Sequence, residues 1–119
     1  MNELDKTLHY NELFHLYKNL LTDTQKEILS DYYLYDLSIT EISEIRNISR
    51  AAVEDAIKKG NKKLDKYEEE LSFLGKNQKA LNLLNKLQNT EDLKEIKKII
   101  KELEEVLTNG IWIIDWQTL

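Results

Sequence analysis

The chain has no cysteine, no proline and only three glycines in 119 residues. Without cysteine there is no disulfide, no thiol nucleophile and no thiolate metal site, which fits a reducing cytoplasm. Without proline, and with many Leu, Ile, Lys and Glu residues, the composition favours helices. Long apolar runs are missing too. Residues 111–114 form the longest, far too short to span a membrane, and the polar, acidic start does not read as a secretory signal. His9 and His15 stand six apart without further ligands, so no metal site is expected. There is no phosphate loop and no nucleophile-and-base pattern, and no pair of acids follows a recognisable catalytic spacing. Neither an enzyme nor a cofactor is expected.

The net charge of -5 argues against a chain that coats nucleic acid along its whole surface. The charge is uneven, however. Residues 1–37 carry three Lys against seven acids, whereas residues 38–67 carry seven Lys or Arg against five acids, a net of +2. The net-basic segment is modest beside what tight DNA binders usually show.

Apolar residues recur at helical spacing almost throughout. Leu4, Leu8, Leu13, Phe14, Tyr17, Leu20 and Leu21 predict a first helix over about residues 3–20. Thr22 with Gln25, and Ser38 with Glu41, are capping boxes for a second and a third helix. Asn47 suits a left-handed turn, and Ser49 caps a fourth helix. In that helix Val53, Ile57, Gly60, Leu64, Tyr67, Leu71 and Leu74 alternate four and three apart, a heptad stripe expected to run to about Leu74 and stop on Gly75. Ala80, Leu81, Leu84 and Leu87 mark a fifth helix. Thr90 caps a sixth, in which Leu93, Ile96, Ile100, Leu103 and Leu107 repeat the heptad spacing before Asn109-Gly110 stops it. The fold class is all-α. The expected organisation is a helix-turn-helix domain over residues 1–75, a C-terminal helical pair over 76–110 and a hydrophobic tail over 111–119.

The stretch "LSITEISEIRNISRAAVEDAIKK", residues 37–59, carries the motif. A helix-turn-helix needs an apolar residue and a small one in its first helix, a turn residue tolerating positive φ, and apolar anchors in a second, recognition helix. Ile42, Ser43, Asn47, Ile48 and Val53 fill those places. Arg46 stands where an apolar anchor is usual, with Ile45 beside it as the candidate to compensate.

"LLTDTQ", "YYLYDLSITEIS", "ISRAAVEDAIKK" and "YEEEL" together resemble the YlxM family of small bacterial proteins. The resemblance covers residues 16–71. It implies a winged-helix-like, all-α domain similar to region four of sigma factors, a cytoplasmic location and DNA binding or regulation. It also implies a link to the signal recognition particle, whose protein gene family members commonly neighbour. This sequence departs from the family pattern at Arg46 (usually apolar), Asn47 (often glycine) and Glu54 (usually tyrosine).

Base contacts in such a motif come mainly from the start and outer face of the recognition helix. Here those positions hold Ser49, Arg50, Ala51, Glu54, Asp55 and Lys58, with Lys59 and Lys62 beyond them. Arg50 can grip guanine bidentately, and Lys58, Lys59, Lys62 and Lys63 can meet phosphates. Glu54 and Asp55 are more apt to repel a polyanion. The competing reading is a solvated face with pairs Glu54–Lys58 and Asp55–Lys59. The six tyrosines, four of them Tyr10, Tyr17, Tyr32 and Tyr33, read as half-buried packing residues. Two partner classes remain: duplex DNA, or a protein of the export pathway such as a signal recognition particle component. A homodimer through Leu93, Ile96, Ile100, Leu103 and Leu107 is expected, because two heptad stripes in one short chain expose more apolar surface than it covers. The tail, with Ile111, Trp112, Ile113, Ile114 and Trp116, is expected to dock on a helical surface.

Overall fold

The computed structural model describes residues 2–108, and the expected stop at Asn109-Gly110 and docking of the tail lie outside them. Six α-helices follow one another: α1 Glu3–Tyr17, α2 Asp23–Tyr33, α3 Ile39–Arg46, α4 Arg50–Leu71, α5 Phe73–Gln88 and α6 Leu93–Thr108. A single 3-10 turn, Lys18–Leu20, links α1 to α2 and takes the last residues expected of the first helix. No strand occurs among the described residues, so the winged-helix expectation is corrected: no β wing flanks the motif.

Local chemistry sets most of the helix ends. Thr22 and Ser38 open α2 and α3 through complete capping boxes, with Gln25 and Glu41 reaching back to the cap amides. Asn47 ends α3 in the left-handed region, at φ 53° and ψ 47°, and its amide and that of Ile48 both donate to the Ser43 carbonyl. Ser49 then accepts from the Ala52 amide at 3.0 Å and starts α4. The end of α4 differs from the expectation. The helix stops at Leu71, on Ser72 with φ 57°, and Gly75 lies inside α5. Ser72 thus adopts a left-handed cap conformation without being glycine or asparagine, which residue statistics do not signal. At α6 the cap is Asp92 rather than Thr90. The Asp92 side chain accepts from the Lys94 amide at 3.2 Å and its carbonyl from Ile96, while Thr90 supports the Asp92 amide.

The chain divides into two compact units, one ending at Ser72 and one starting at Phe73. In the first, α1, α2 and α3 pack on α4. Its core holds Leu13, Phe14 and Tyr17 of α1, Ile28 and Leu29 of α2, Ile42 of α3, and Val53 and Leu64 of α4. Ile28, Ile42 and Val53 form one cluster, with Tyr32, Leu37, Ile39, Ala56 and Ile57 around it, and this cluster fixes the helix-turn-helix. Gly60 lets α2 approach α4. A Cβ there would fall 2.7 Å from Leu29 Cδ1 and 2.9 Å from its Cδ2. In the second unit α5 packs on α6, and Leu83 and Ile99 are buried.

The place of Arg46 is also corrected. Ile45 does not stand in for an apolar anchor, being 65% exposed. The site is polar instead: Arg46 Nε donates to Asp31 Oδ2 at 2.7 Å and Nη1 to Glu27 Oε2 at 3.0 Å. Asp31 is buried, and the guanidinium held by its carboxylate has its pKa raised above the ordinary arginine value. An ion pair between α2 and α3 does the work that an apolar contact would otherwise do.

Candidate nucleic-acid interface

The helix α4 turns by about 100° per residue, so its side chains sort into faces once Val53, Gly60 and Leu64 are set against the core. Ala51, Asp55 and Lys62 fall on the outward ridge, with Lys58 and Lys66 beside it. Arg50 and Glu54 lie on one flank. Lys59 and Lys63 lie on the other. All eight residues singled out in sequence, Ser49, Arg50, Ala51, Glu54, Asp55, Lys58, Lys59 and Lys62, are exposed. They do not form one patch, however: they spread over two flanks and a ridge.

The two carboxylates have different surroundings. Asp55 Oδ2 stands 2.9 Å from Lys59 Nζ, the i,i+4 pair anticipated for a solvated face. Glu54 is in no ion pair with Lys58. It lines a cavity of about 270 Å³ with Lys58, Tyr10, Tyr32, Tyr33 and Asn61. On the opposite flank a broader groove of about 690 Å³ is lined by Lys59, Lys62, Lys63 and Lys66 together with the carboxylates of Asp65, Glu69 and Glu70. Lys63 is oriented there by a hydrogen bond to Gln25 Oε1 at 3.0 Å, so Gln25 serves both the cap of α2 and this groove. Ser49 Oγ already accepts from the α4 backbone, which leaves its hydroxyl proton as the group it can offer outward.

Tyrosines anchor this helix, three of them along its Arg50–Glu54 flank. Tyr10 donates to Asp65 at 2.8 Å, Tyr17 to Glu68 at 2.6 Å and Tyr33 to Asn61 at 2.8 Å, while Tyr67 of α4 donates to the Leu20 carbonyl at 2.9 Å. Burial is the main cause that pushes the pKa of Tyr33 and of Tyr10 above the ordinary tyrosine value. Sequence reasoning identified these rings as packing residues but missed their acceptors. Asn61, Asp65 and Glu68 recur three or four residues apart on one side of α4, and that spacing was the available signal. The burial of Asp31 was missed as well, and its signal was the unusual Arg46.

The residues proposed for dimerisation divide between two faces of α6. Ile96 and Leu103 are half-buried, next to the buried Ile99, whereas Leu93, Ile100 and Leu107 are exposed. No helix among the described residues is long and apolar enough to cross a membrane.

Comparison with known proteins agrees with this architecture. The family described as "Putative helix-turn-helix protein, YlxM / p13 like" matches residues 4–106. UPF0122 protein BH2485 of Halalkalibacterium halodurans is 47% identical over 85 residues, 71% of this chain and 78% of that protein. A UPF0122 protein of Mycoplasma capricolum is 43% identical over 106 residues, 89% of this chain and 92% of its own length. UPF0122 protein YlxM of Bacillus subtilis is 46% identical over 85 residues, 71% of this chain and 77% of that protein. With nearly the whole helical chain covered, the protein belongs to the YlxM / p13-like family of helix-turn-helix proteins.

Proposed function

We propose that the protein is a non-catalytic, cytoplasmic DNA-binding regulator that lays α4 in the major groove and works as a homodimer joined through its C-terminal helices. The observation that carries this reading is the α3–Asn47–α4 turn. It fixes a recognition helix by its inner face and leaves Arg50, Ala51, Lys58 and Lys62 exposed. Arg50 is the residue for direct base contact, and Ser49 and the α4 amino end suit a phosphate. Lys58, Lys59 and Lys62 suit phosphates along the groove. Asp55 is offset by Lys59, so Glu54 is the carboxylate that weakens binding without local compensation.

A second reading has its own support. The net charge of -5 and the carboxylate of Glu54 on the reading helix favour a helical adaptor that binds a protein of the export pathway, such as a signal recognition particle component, and no DNA.

Gel shifts with random duplex at about 50 and about 200 mM salt separate the two, because phosphate contacts release counterions and weaken with salt. The regulator binds at the lower salt and loses affinity at the higher. Replacing Glu54 with Gln and Asp55 with Asn tightens its binding to random duplex. Lys58→Ala weakens all sequences alike and lowers the salt slope by about one, whereas Arg50→Ala costs roughly 1–3 kcal/mol, mainly at a preferred site. If even the doubly neutralised variant ignores duplex at low salt, the DNA reading is lost and the adaptor remains.

A further inference from the structure

In α6 the exposed apolar residues are not scattered. Leu93, Ile100 and Leu107 are 63%, 44% and 75% exposed and lie seven residues apart. Seven residues fall about 20° short of two full turns, so the three make one row along the helix. Ile96 and Leu103 border this row on the side nearer the buried Ile99. By the same rotation Lys97 and Glu104 border it on the other side.

The charges of α6 are segregated along its length. Lys94, Lys97 and Lys98 stand in the first half, with Glu95 as the one acid there, while Glu102, Glu104 and Glu105 outnumber Lys101 in the second. This order opposes the helix's own dipole, which favours acids at the amino end and cations at the carboxyl end. A second copy running the opposite way turns the same order into a match.

We propose that two copies of the chain pair through α6 in antiparallel fashion about a two-fold axis at Ile100. The proposal rests on the homodimer reading above and adds its orientation and register. Leu93 then meets Leu107 of the second copy, and Ile100 meets its equivalent. In an antiparallel pair, flanking positions face positions on the same flank of the partner. Lys97 and Glu104 stand at nearly equal distances either side of Ile100 on one flank, so Lys97 faces Glu104 of the second copy, and the contact occurs twice. A parallel pair would instead lay that charged flank against the apolar flank of Ile96 and Leu103. The row is short, so the dimer is weak and its population depends on concentration.

Sedimentation of the full chain without DNA, at about 200 µM where a small interface can fill, tests the pairing. The expected mass approaches twice the 14.1 kDa of one chain. Lys97→Glu alone and Glu104→Lys alone each move the mass towards one chain, and the two together restore the dimer. Because the chain has no cysteine, single cysteines report the orientation. An oxidised mixture of Leu93→Cys and Leu107→Cys chains forms the mixed disulfide in preference to either homotypic one. A one-chain mass for the unaltered protein overturns the proposal together with the homodimer reading, and leaves DNA binding to be judged by gel shift. A dimer in which Leu93→Cys cross-links to itself overturns the orientation alone. A double reversal that fails to restore what single reversals break overturns the Lys97–Glu104 register, and circular dichroism of each variant tells loss of pairing from loss of fold.

Discussion

Asp31 carries a carboxylate into the interior because Arg46 meets it there at 2.7 Å, with Glu27 holding the outer edge of the guanidinium. Leucine at position 46 fits the usual apolar family pattern, yet here it strands a buried charge. We expect Arg46→Leu to destabilise the fold by about 2–3 kcal/mol, below the range for a fully buried pair because the arginine is partly exposed. Adding Asp31→Leu should recover most of that loss in urea denaturation. Tyr33 makes the converse case at high pH. Burial raises its pKa, so the folded protein holds the phenol proton where the unfolded chain has released it. The stability that the neutral ring contributes is complete below about pH 10 and erodes as pH climbs above it. Tyr33→Phe should move the alkaline unfolding midpoint upward in a circular dichroism titration from about pH 8 to about pH 12, chosen to bracket the ordinary tyrosine pKa.

Between α2 and α4 the spacing depends on Gly60. An alanine there would gain about 1 kcal/mol of helix propensity in an open site. Here its methyl meets Leu29, itself fully buried and so without room to withdraw. Overpacking costs roughly 1–3 kcal/mol, so Gly60→Ala should give a net loss of about 1 kcal/mol by chemical denaturation, the opposite of its usual sign. Sequence alone marked Gly60 as a member of the α4 stripe, because heptad spacing is independent of partner, but it could not say which neighbour came close. The capping boxes at Thr22 and Ser38 and the turn at Asn47 were legible for a similar reason: each is satisfied within a few residues. The end of α4 was not, since Ser72 adopts a left-handed conformation that its residue type does not announce. Nor was the Arg46 site legible, because its partners stand 15 and 19 residues away. The exposed residues of the recognition helix followed from periodicity. Their division over two flanks followed from the same periodicity, whereas the Lys59–Asp55 pair and the cavity that Glu54 shares with the tyrosines needed the structure.

At the scale of the molecule, charge and aromatic content are distributed unevenly. The basic residues of α4 sit within a chain of net charge -5, so association with a polyanion should respond to salt at this segment more than to total charge. All six tyrosines lie between residues 10 and 67, whereas both tryptophans lie at 112 and 116. Four tyrosine hydroxyls are tied to α4 or to the chain leading into α2, so opening of the first unit breaks all four contacts. That arrangement gives the helix-turn-helix unit an intrinsic optical signal. The near-ultraviolet tyrosine signal reports on this unit without any introduced label, while indole fluorescence reports on a different stretch of the chain.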